Sequence, residues 1–197
     1  MALEDFQADT FVAFTDIAGF TPMMREGDGR RAVRALDDFY SVGYATVRDQ
    51  SREVIRVDGL FVSDCGILFV RGENATAVER FETLLHTVET IHRRCSERAV
   101  FLSTSIAWGP FSYHQRIEIP GIEKNPVYGS AYVHAFADND SGTPKICPGE
   151  CRVIRHDLPL AILEHCNRRQ GRFASRLRAT PKHFYFEWTR PTDQTTQ

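Results

Sequence analysis

Two aspartates in this chain stand where charge is out of place. Asp16 closes the apolar run of "FVAFTDIAGFT", and Asp64 sits in the short joint of "REVIRVDGLFVSDCGILFVRG", between two further apolar runs. Carboxylates brought together from distant sequence repel one another unless a cation lies between them. Two hard-oxygen ligands with open positions suit Mg2+ or Mn2+, which binds through one or two carboxylates plus the phosphates of a substrate. The loop after Asp16 fits that chemistry: Gly19 lets the backbone approach closely, and amides at a helix start can hold phosphate oxygens. Cations for a polyphosphate are at hand in "RRQGRFASRLRATPKH", which supplies Arg172, Arg176, Arg178 and Lys182, although the same run also reads as a solvated basic face. Taken singly, Asp16 also fits a helix cap or an Asx-turn, and Asp64 an ordinary hairpin residue. Only the pair, at matching ends of one sheet, points to a metal.

The elements that must position this pair can be read from periodicity. Residues 11 to 16 alternate Phe11, Ala13 and Thr15 against Val12, Phe14 and Asp16, which predicts a strand running into a loop. From about Gly29 to Asp49, Ala32, Val33, Leu36, Phe39, Tyr40 and Val47 recur at helical spacing, the pattern of an amphipathic helix on a sheet face. The Val/Ile/Phe content around Ser63 and Asp64, with Gly66 as a breaker, predicts a β-hairpin. A second long helix follows from Asn74 to Arg94, and then a strand, "AVFLSTSIAWGP", that Gly109-Pro110 ends. The order β-α-β-β-α-β names an α+β, ferredoxin-like core with an antiparallel sheet and both helices on one face. In that topology the strand ending at Asp16 and the turn carrying Asp64 lie side by side. The remaining third holds a Gly/Pro-containing excursion, "FSYHQRIEIPGIEKNPVYG", a short helix, "SAYVHAFADN", a strand near Arg152 to Ile154, another helix and a closing strand, "HFYFEW".

At 197 residues, 42% hydrophobic and 25% charged, the chain fits one globular domain, residues 1–197, with its core at about 10–190. A net charge of −2 argues against a protein that coats nucleic acid or an anionic membrane. No apolar run is long enough to span a membrane and "MALEDFQADT" lacks the features of a signal peptide, so the expected location is cytoplasmic. The five cysteines are scattered and odd in number, which makes reduced thiols the default; "CPGEC" reads as a Pro-Gly turn between two ordinary thiols.

"FTDIAGFT" resembles the signature loop of class III nucleotide cyclases, in which a strand ends in Asp-Ile, a small residue and Gly-Phe-Thr. "SDCGILFV" is similar to that family's second metal-aspartate hairpin, "SIAWGP" to its next Gly-terminated strand, "YGSAY" to its later glycine motif and "KICPGECRVI" to its Pro-Gly strand. The resemblance implies that Asp16, Asp64 and the Ile17 carbonyl hold two Mn2+ or Mg2+ ions. It further implies that the amides of Ala18, Gly19, Phe20 and Thr21 face the triphosphate, with Phe14 among the nucleotide contacts. Arg176 and Arg178 would steady the transition state and Lys182 the triphosphate. The implied reaction is cyclisation of a ribonucleoside triphosphate: the 3′-hydroxyl attacks the α-phosphorus and pyrophosphate leaves. Sites in this family are composite, so a homodimer is implied as well.

The chain also departs from the family pattern. The transition-state Asn and Arg of the usual members fall here on Val133 and Ala137, leaving His134, Asn139 or an arginine from elsewhere as substitutes. Leu60 stands where adenylate cyclases place Lys and guanylate cyclases Glu, and Pro126, beside Asn125, replaces a second polar partner of the base. A pocket with no matched polar group rejects a base that must leave hydrogen-bonding atoms unpaired. With this purine-reading pair absent, the chain resembles the pyrimidine cyclases of bacterial anti-phage defence, the Pycsar systems, which signal to a separate effector in trans. Arg56, Ser103 and Asn125 are then the candidate base-reading groups beside Leu60, and an arginine donor tilts the expectation to UTP over CTP. Two other readings stay open: a catalytically silent cyclase-homology domain that binds nucleotide or a protein, and a generic ferredoxin-like binding module.

Overall fold

The computed structural model describes residues 4–25, 29–50, 54–119, 122–124 and 126–188. The expected core is present in the expected order: β1 (Phe6–Ile17), α2 (Gly29–Gln50), β2 (Arg56–Val62), β3 (Cys65–Arg71), α3 (Ala77–Ser96) and β4 (Leu102–Tyr113), with a short helix, α1 (Phe20–Arg25), inserted after β1. Beyond it lie β5 (Arg116–Ile119) and β6 (Ile122–Lys124), which form a separate ribbon, then β7 (Val127–Tyr128), α4 (Ser130–Ser141), β8 (Glu150–Ile154), α5 (Leu160–Asn167), β9 (Leu177–Ala179) and β10 (His183–Glu187). The main sheet runs β2-β3-β1-β4-β8-β10-β9, with β7 paired to the end of β4. Its pairings are antiparallel except that of β4 with β8.

Two strands exceed their predicted bounds. β1 and β4 pair without interruption from Phe6 opposite Tyr113 to Ile17 opposite Leu102, so Gly109 and Pro110 do not end β4. On the other edge of β4, β8 stops opposite Ile106 and β7 begins opposite Ser112. Pro110 lies in that gap, where a residue without an amide proton breaks no second ladder.

Alternation along β1 divides the core in two. Phe11, Ala13 and Ile17 join Phe39 and Val42 of α2 and Phe81, Leu84, Val88 and Ile91 of α3 in the larger cluster, so both long helices cover one face as expected. α3 starts on a capping box, Thr76 accepting from the Glu79 amide while Glu79 accepts from the Thr76 amide, which fixes its first turn. Beneath α3 a buried polar chain runs from Thr15 to Thr104 at 2.8 Å and on to His92 Nε2 at 2.7 Å. Burial pushes the His92 imidazole down to about 3, so it is neutral. On the opposite face Val12, Phe14, Ile67, Phe69 and Phe111 pack with Ala131 and Ala135 of α4.

The hairpin is seated by one ring. Phe61 lies in a slot between Gly43 of α2 and Gly59 and Gly66 of the hairpin, and a Cβ on Gly43 or Gly66 would stand 2.3 or 2.9 Å from ring carbons. Glycines on α2, β2 and β3 thus let the helix pack closely over the hairpin around this ring. Among the described residues no helix is long and apolar enough to cross a membrane.

Candidate active site

β1 delivers Asp16 to the sheet edge opposite Cys65 of β3 and Ser103 of β4. The Ile17 amide donates to the Asp64 carbonyl at 2.9 Å, which ties the strand end to the hairpin turn. Ser63, at φ 54°, takes the left-handed conformation that closes the turn, and its hydroxyl donates to Asp64 Oδ1 at 3.0 Å. The two carboxyl groups therefore face one another. Burial first, then the charge of Asp64 and a hydrogen bond to it, push Asp16 up to about 7; the Ile17 amide and the Lys145 charge pull weakly the other way. Burial and both aspartates also push the neighbouring Cys65 thiol up to about 11, and it donates to the Val62 carbonyl at 3.1 Å. A thiol held so high is no nucleophile near neutral pH. Two half-buried carboxylates that repel one another are a donor set that a divalent cation satisfies, so the residues present fit the metal.

The loop after Asp16 differs from expectation in one respect. The Ala18 amide donates to the Phe101 carbonyl at 2.9 Å, because the edge of the sheet continues one residue further, so it is not available to a phosphate. Gly19, at φ 78°, turns the chain into α1, and the amides of Gly19, Phe20 and Thr21 fall in the first turn, where helix amides lack intrahelical acceptors. Phe14 is occupied otherwise than expected: its ring meets Phe136 edge-on at 5.2 Å and walls the α4 side of the strand.

The last turn of α4 is an anchor that the sequence did not announce. Asn139 Nδ2 donates to the carbonyls of Phe14 at 3.3 Å and Ser103 at 3.2 Å, joining the two strands beside Asp16. Asp138 accepts from Ser105 Oγ at 2.5 Å, Arg152 Nε at 2.6 Å and His183 Nε2 at 3.0 Å, and the fully buried Arg152 also reaches the carbonyls of Asp138 and Pro144. Burial alone would raise the Asp138 carboxyl, but these donors outweigh it and hold it below its usual range. The only trace in the sequence is an arginine inside the apolar strand "ECRVI". Asn139, proposed as a substitute transition-state group, is thus committed to backbone. Val133 is 54% exposed and Ala137 is exposed, both on the solvent side of α4.

The remaining candidates are dispersed. Ser103 and Leu60 lie on the same sheet face as Asp16. Arg56 opens β2 at the end of the hairpin away from Asp64, with Nε 2.9 Å from the buried Asp58. Asn125 lies outside the described residues. Arg178 stacks over Tyr185 at 4.0 Å and pairs with Glu150 at 3.3 Å; Arg176 pairs with Glu89 at 3.6 Å. β9, which carries Arg178, is four strand spacings from β1, roughly 19 Å. Lys182 precedes β10, and its carbonyl accepts from the Arg155 amide at 2.9 Å. Within one subunit none of these cations is brought to Asp16, whereas Lys145 is near enough for its charge to be felt there.

No protein-family model matches the chain, and no curated protein matches it. Solved structures do match. The adenylyl cyclase CyaB from P. aeruginosa superposes at a TM-score of 0.62 with 13% identity over 98% of this chain and 100% of that one. The non-canonical dimeric guanylyl cyclase domain of the RhoGC fusion protein from the aquatic fungus Blastocladiella emersonii superposes at 0.57 with 12% identity, covering 78% of this chain and 82% of its own. A class III adenylyl cyclase-like ATP-binding protein from Pseudomonas aeruginosa superposes at 0.55 with 14% identity over 77% of this chain and 34% of its own. At such identities the likeness is one of fold, and the chain has the α+β fold, with a mainly antiparallel sheet, of class III cyclase catalytic domains.

Proposed function

We propose that the protein is a nucleotide cyclase that converts a ribonucleoside triphosphate to its 3′,5′-cyclic monophosphate and pyrophosphate. The observation that carries this reading is the facing pair Asp16 and Asp64 at the end of the sheet, with the Gly19 turn beside it. Mn2+ or Mg2+ bound there would supply charge neutralisation and a lowered pKa for the 3′-hydroxyl. Asp16, Asp64 and the Ile17 carbonyl would hold two ions. The amides of Gly19, Phe20 and Thr21 would bind phosphate oxygens, while Leu60 and Ser103 border the base on the same face. The 3′-oxygen forms a bond to the α-phosphorus as the bond to the bridging oxygen of pyrophosphate breaks, so positioning is the protein's main contribution.

A homodimer completes the site in this reading. The exposed Val133 and Phe136 of α4 and Tyr128 of β7 offer an apolar patch for a second copy. Arg176, Arg178 and Lys182, distant from Asp16 within a subunit, would then act across the interface. A pyrimidine is the proposed base, because Leu60 offers no polar partner to a purine. UTP is the first candidate, although Arg56 is committed to Asp58 and leaves Ser103 as the polar group on that face. A role in anti-phage signalling through a separate effector rests on the Pycsar resemblance.

A specific observation favours a second reading, a silent nucleotide-binding domain: Val133 and Ala137 leave α4 without the polar pair of the usual cyclases, and one structural neighbour is a cyclase-like ATP-binding protein. Incubating the pure protein with all four ribonucleotides at equal concentration in Mn2+ tests both. A dominant cyclic UMP product supports the full proposal, and cyclic CMP overturns only the choice of pyrimidine. A cyclic purine product overturns the pyrimidine reading. Binding without any cyclic product establishes the silent domain.

A further inference from the structure

Away from the aspartate pair, His134 on α4 meets His156 and Asp157 in the turn between β8 and α5. His156 Nδ1 lies 2.7 Å from Asp157 Oδ2, and His134 Nδ1 lies 4.0 Å from the same oxygen. One ligand atom from each of the three falls within 4.8 Å of the others. Neighbouring residues in an extended chain point to opposite sides. Here Asp157 takes the left-handed conformation, φ 58°, and the two side chains converge on the helix instead.

Ligands bonded to a tetrahedral ion at about 2.0–2.1 Å stand roughly 3.3 Å apart, a value inside the range of separations found here. All three side chains are at least partly exposed, so small rotamer changes close the remaining differences. Two imidazoles and one carboxylate suit Zn2+, Ni2+ or Cu2+ rather than the hard cations of an all-oxygen site. We infer that His134, His156 and Asp157 form a second metal site, selective for borderline transition ions such as Zn2+, that clamps α4 to the β8–α5 turn. Because the last turn of α4 holds the Phe14 and Ser103 carbonyls through Asn139, an ion at this clamp stabilises the helix that braces the catalytic edge.

The test is Zn2+ titration by calorimetry of the full chain, with excess Mg2+ present to occupy oxygen ligands, and thermal unfolding as a second readout. The expected result is one ion bound per chain and a raised Tm. His134→Ala, His156→Ala and, where either folds poorly, the matching Gln variants should each weaken binding by at least the roughly tenfold seen when even an outer-shell partner is lost. Asp16→Asn and Cys147→Ser should leave it in place. Unchanged binding in the histidine variants, loss of binding in Asp16→Asn or Cys147→Ser, or no binding to the wild type overturns the proposal, the last outcome reducing the cluster to an ion pair.

Discussion

The amide of Ile17 donates to the carbonyl of Asp64 across 2.9 Å, so the backbones that carry the two carboxylates are joined before any ligand arrives. Separation of the two backbones is therefore no route to relieving the repulsion. One of the carboxylates keeps its proton to neutral pH, or a cation binds between them.

Removing either carboxylate should therefore abolish turnover without harming the fold. Asp16→Ala and Asp64→Ala are each expected to lower cyclic-nucleotide formation by at least about 100-fold, given the several kcal/mol that metal ions contribute to charged transition states. Circular dichroism should stay that of the wild type. Activity of either variant near the wild-type level, or activity in excess chelator, would contradict the metal-based proposal.

In chelator, Asp16 should make the protein less stable as pH rises. Its folded-state pKa, about 7, lies above the ordinary 3.8, so between those values the folded protein holds more protons than the unfolded chain and stability falls with increasing pH. His92, depressed to about 3, acts in the opposite sense, its neutral form favouring the fold more as pH rises towards 6.5. Only a variant separates the two. Asp16→Asn is expected to gain ~1–2 kcal/mol over wild type at pH 8, a figure discounted for the partial exposure of the carboxylate, and to gain nothing at pH 4. Denaturant midpoints across this range check it.

Arg152 should matter more for stability than any exposed arginine. Arg152→Met takes the buried guanidinium from Asp138, leaving it Ser105 and His183, and frees the carbonyls of Asp138 and Pro144, a change expected to cost ~3–5 kcal/mol. Arg178→Ala, at an exposed pair, should cost no more than ~1 kcal/mol. Equal losses in urea unfolding would show that the Asp138 network does not hold the sheet.

Mixing subunits tests the composite site. Asp16→Ala and Arg178→Ala proteins, each inactive alone, should regain activity on mixing, because one heterodimer interface pairs an intact aspartate edge with an intact arginine. Failure to regain activity while the chains co-assemble would assign Arg178 to the same subunit's aspartate edge and overturn the composite site, and full activity of Arg178→Ala alone would place that arginine outside the reaction.

The fold was legible where burial imposes a period. Leu36, Phe39 and Tyr40 on α2, and Phe81, Leu84 and Val88 on α3, repeat because one face of each helix must pack on the sheet, and the hairpin turn at Ser63 and Asp64 followed from two apolar runs. Lateral strand order leaves no such mark. Arg178 is near the closing strand in sequence, yet β9 pairs on the outer side of β10 and carries it away from β1. Arg56 looked like a base reader by type, and only the structure shows Asp58 buried beside it. The Ala18 amide looked free because the sequence does not tell where a ladder stops.

The slot that holds the Phe61 ring has a consequence for tolerance to mutation. Gly43, Gly59 and Gly66 carry no chemistry, and none would be chosen in a search for catalytic groups. Yet a methyl group on Gly43 would overlap the Phe61 ring, which would have to shift within the hairpin whose turn carries Asp64. If the proposed activity holds, substitution of these glycines would register as its loss in a protein that keeps both aspartates, and a scan for essential positions would find silent glycines beside Asp16 and Asp64.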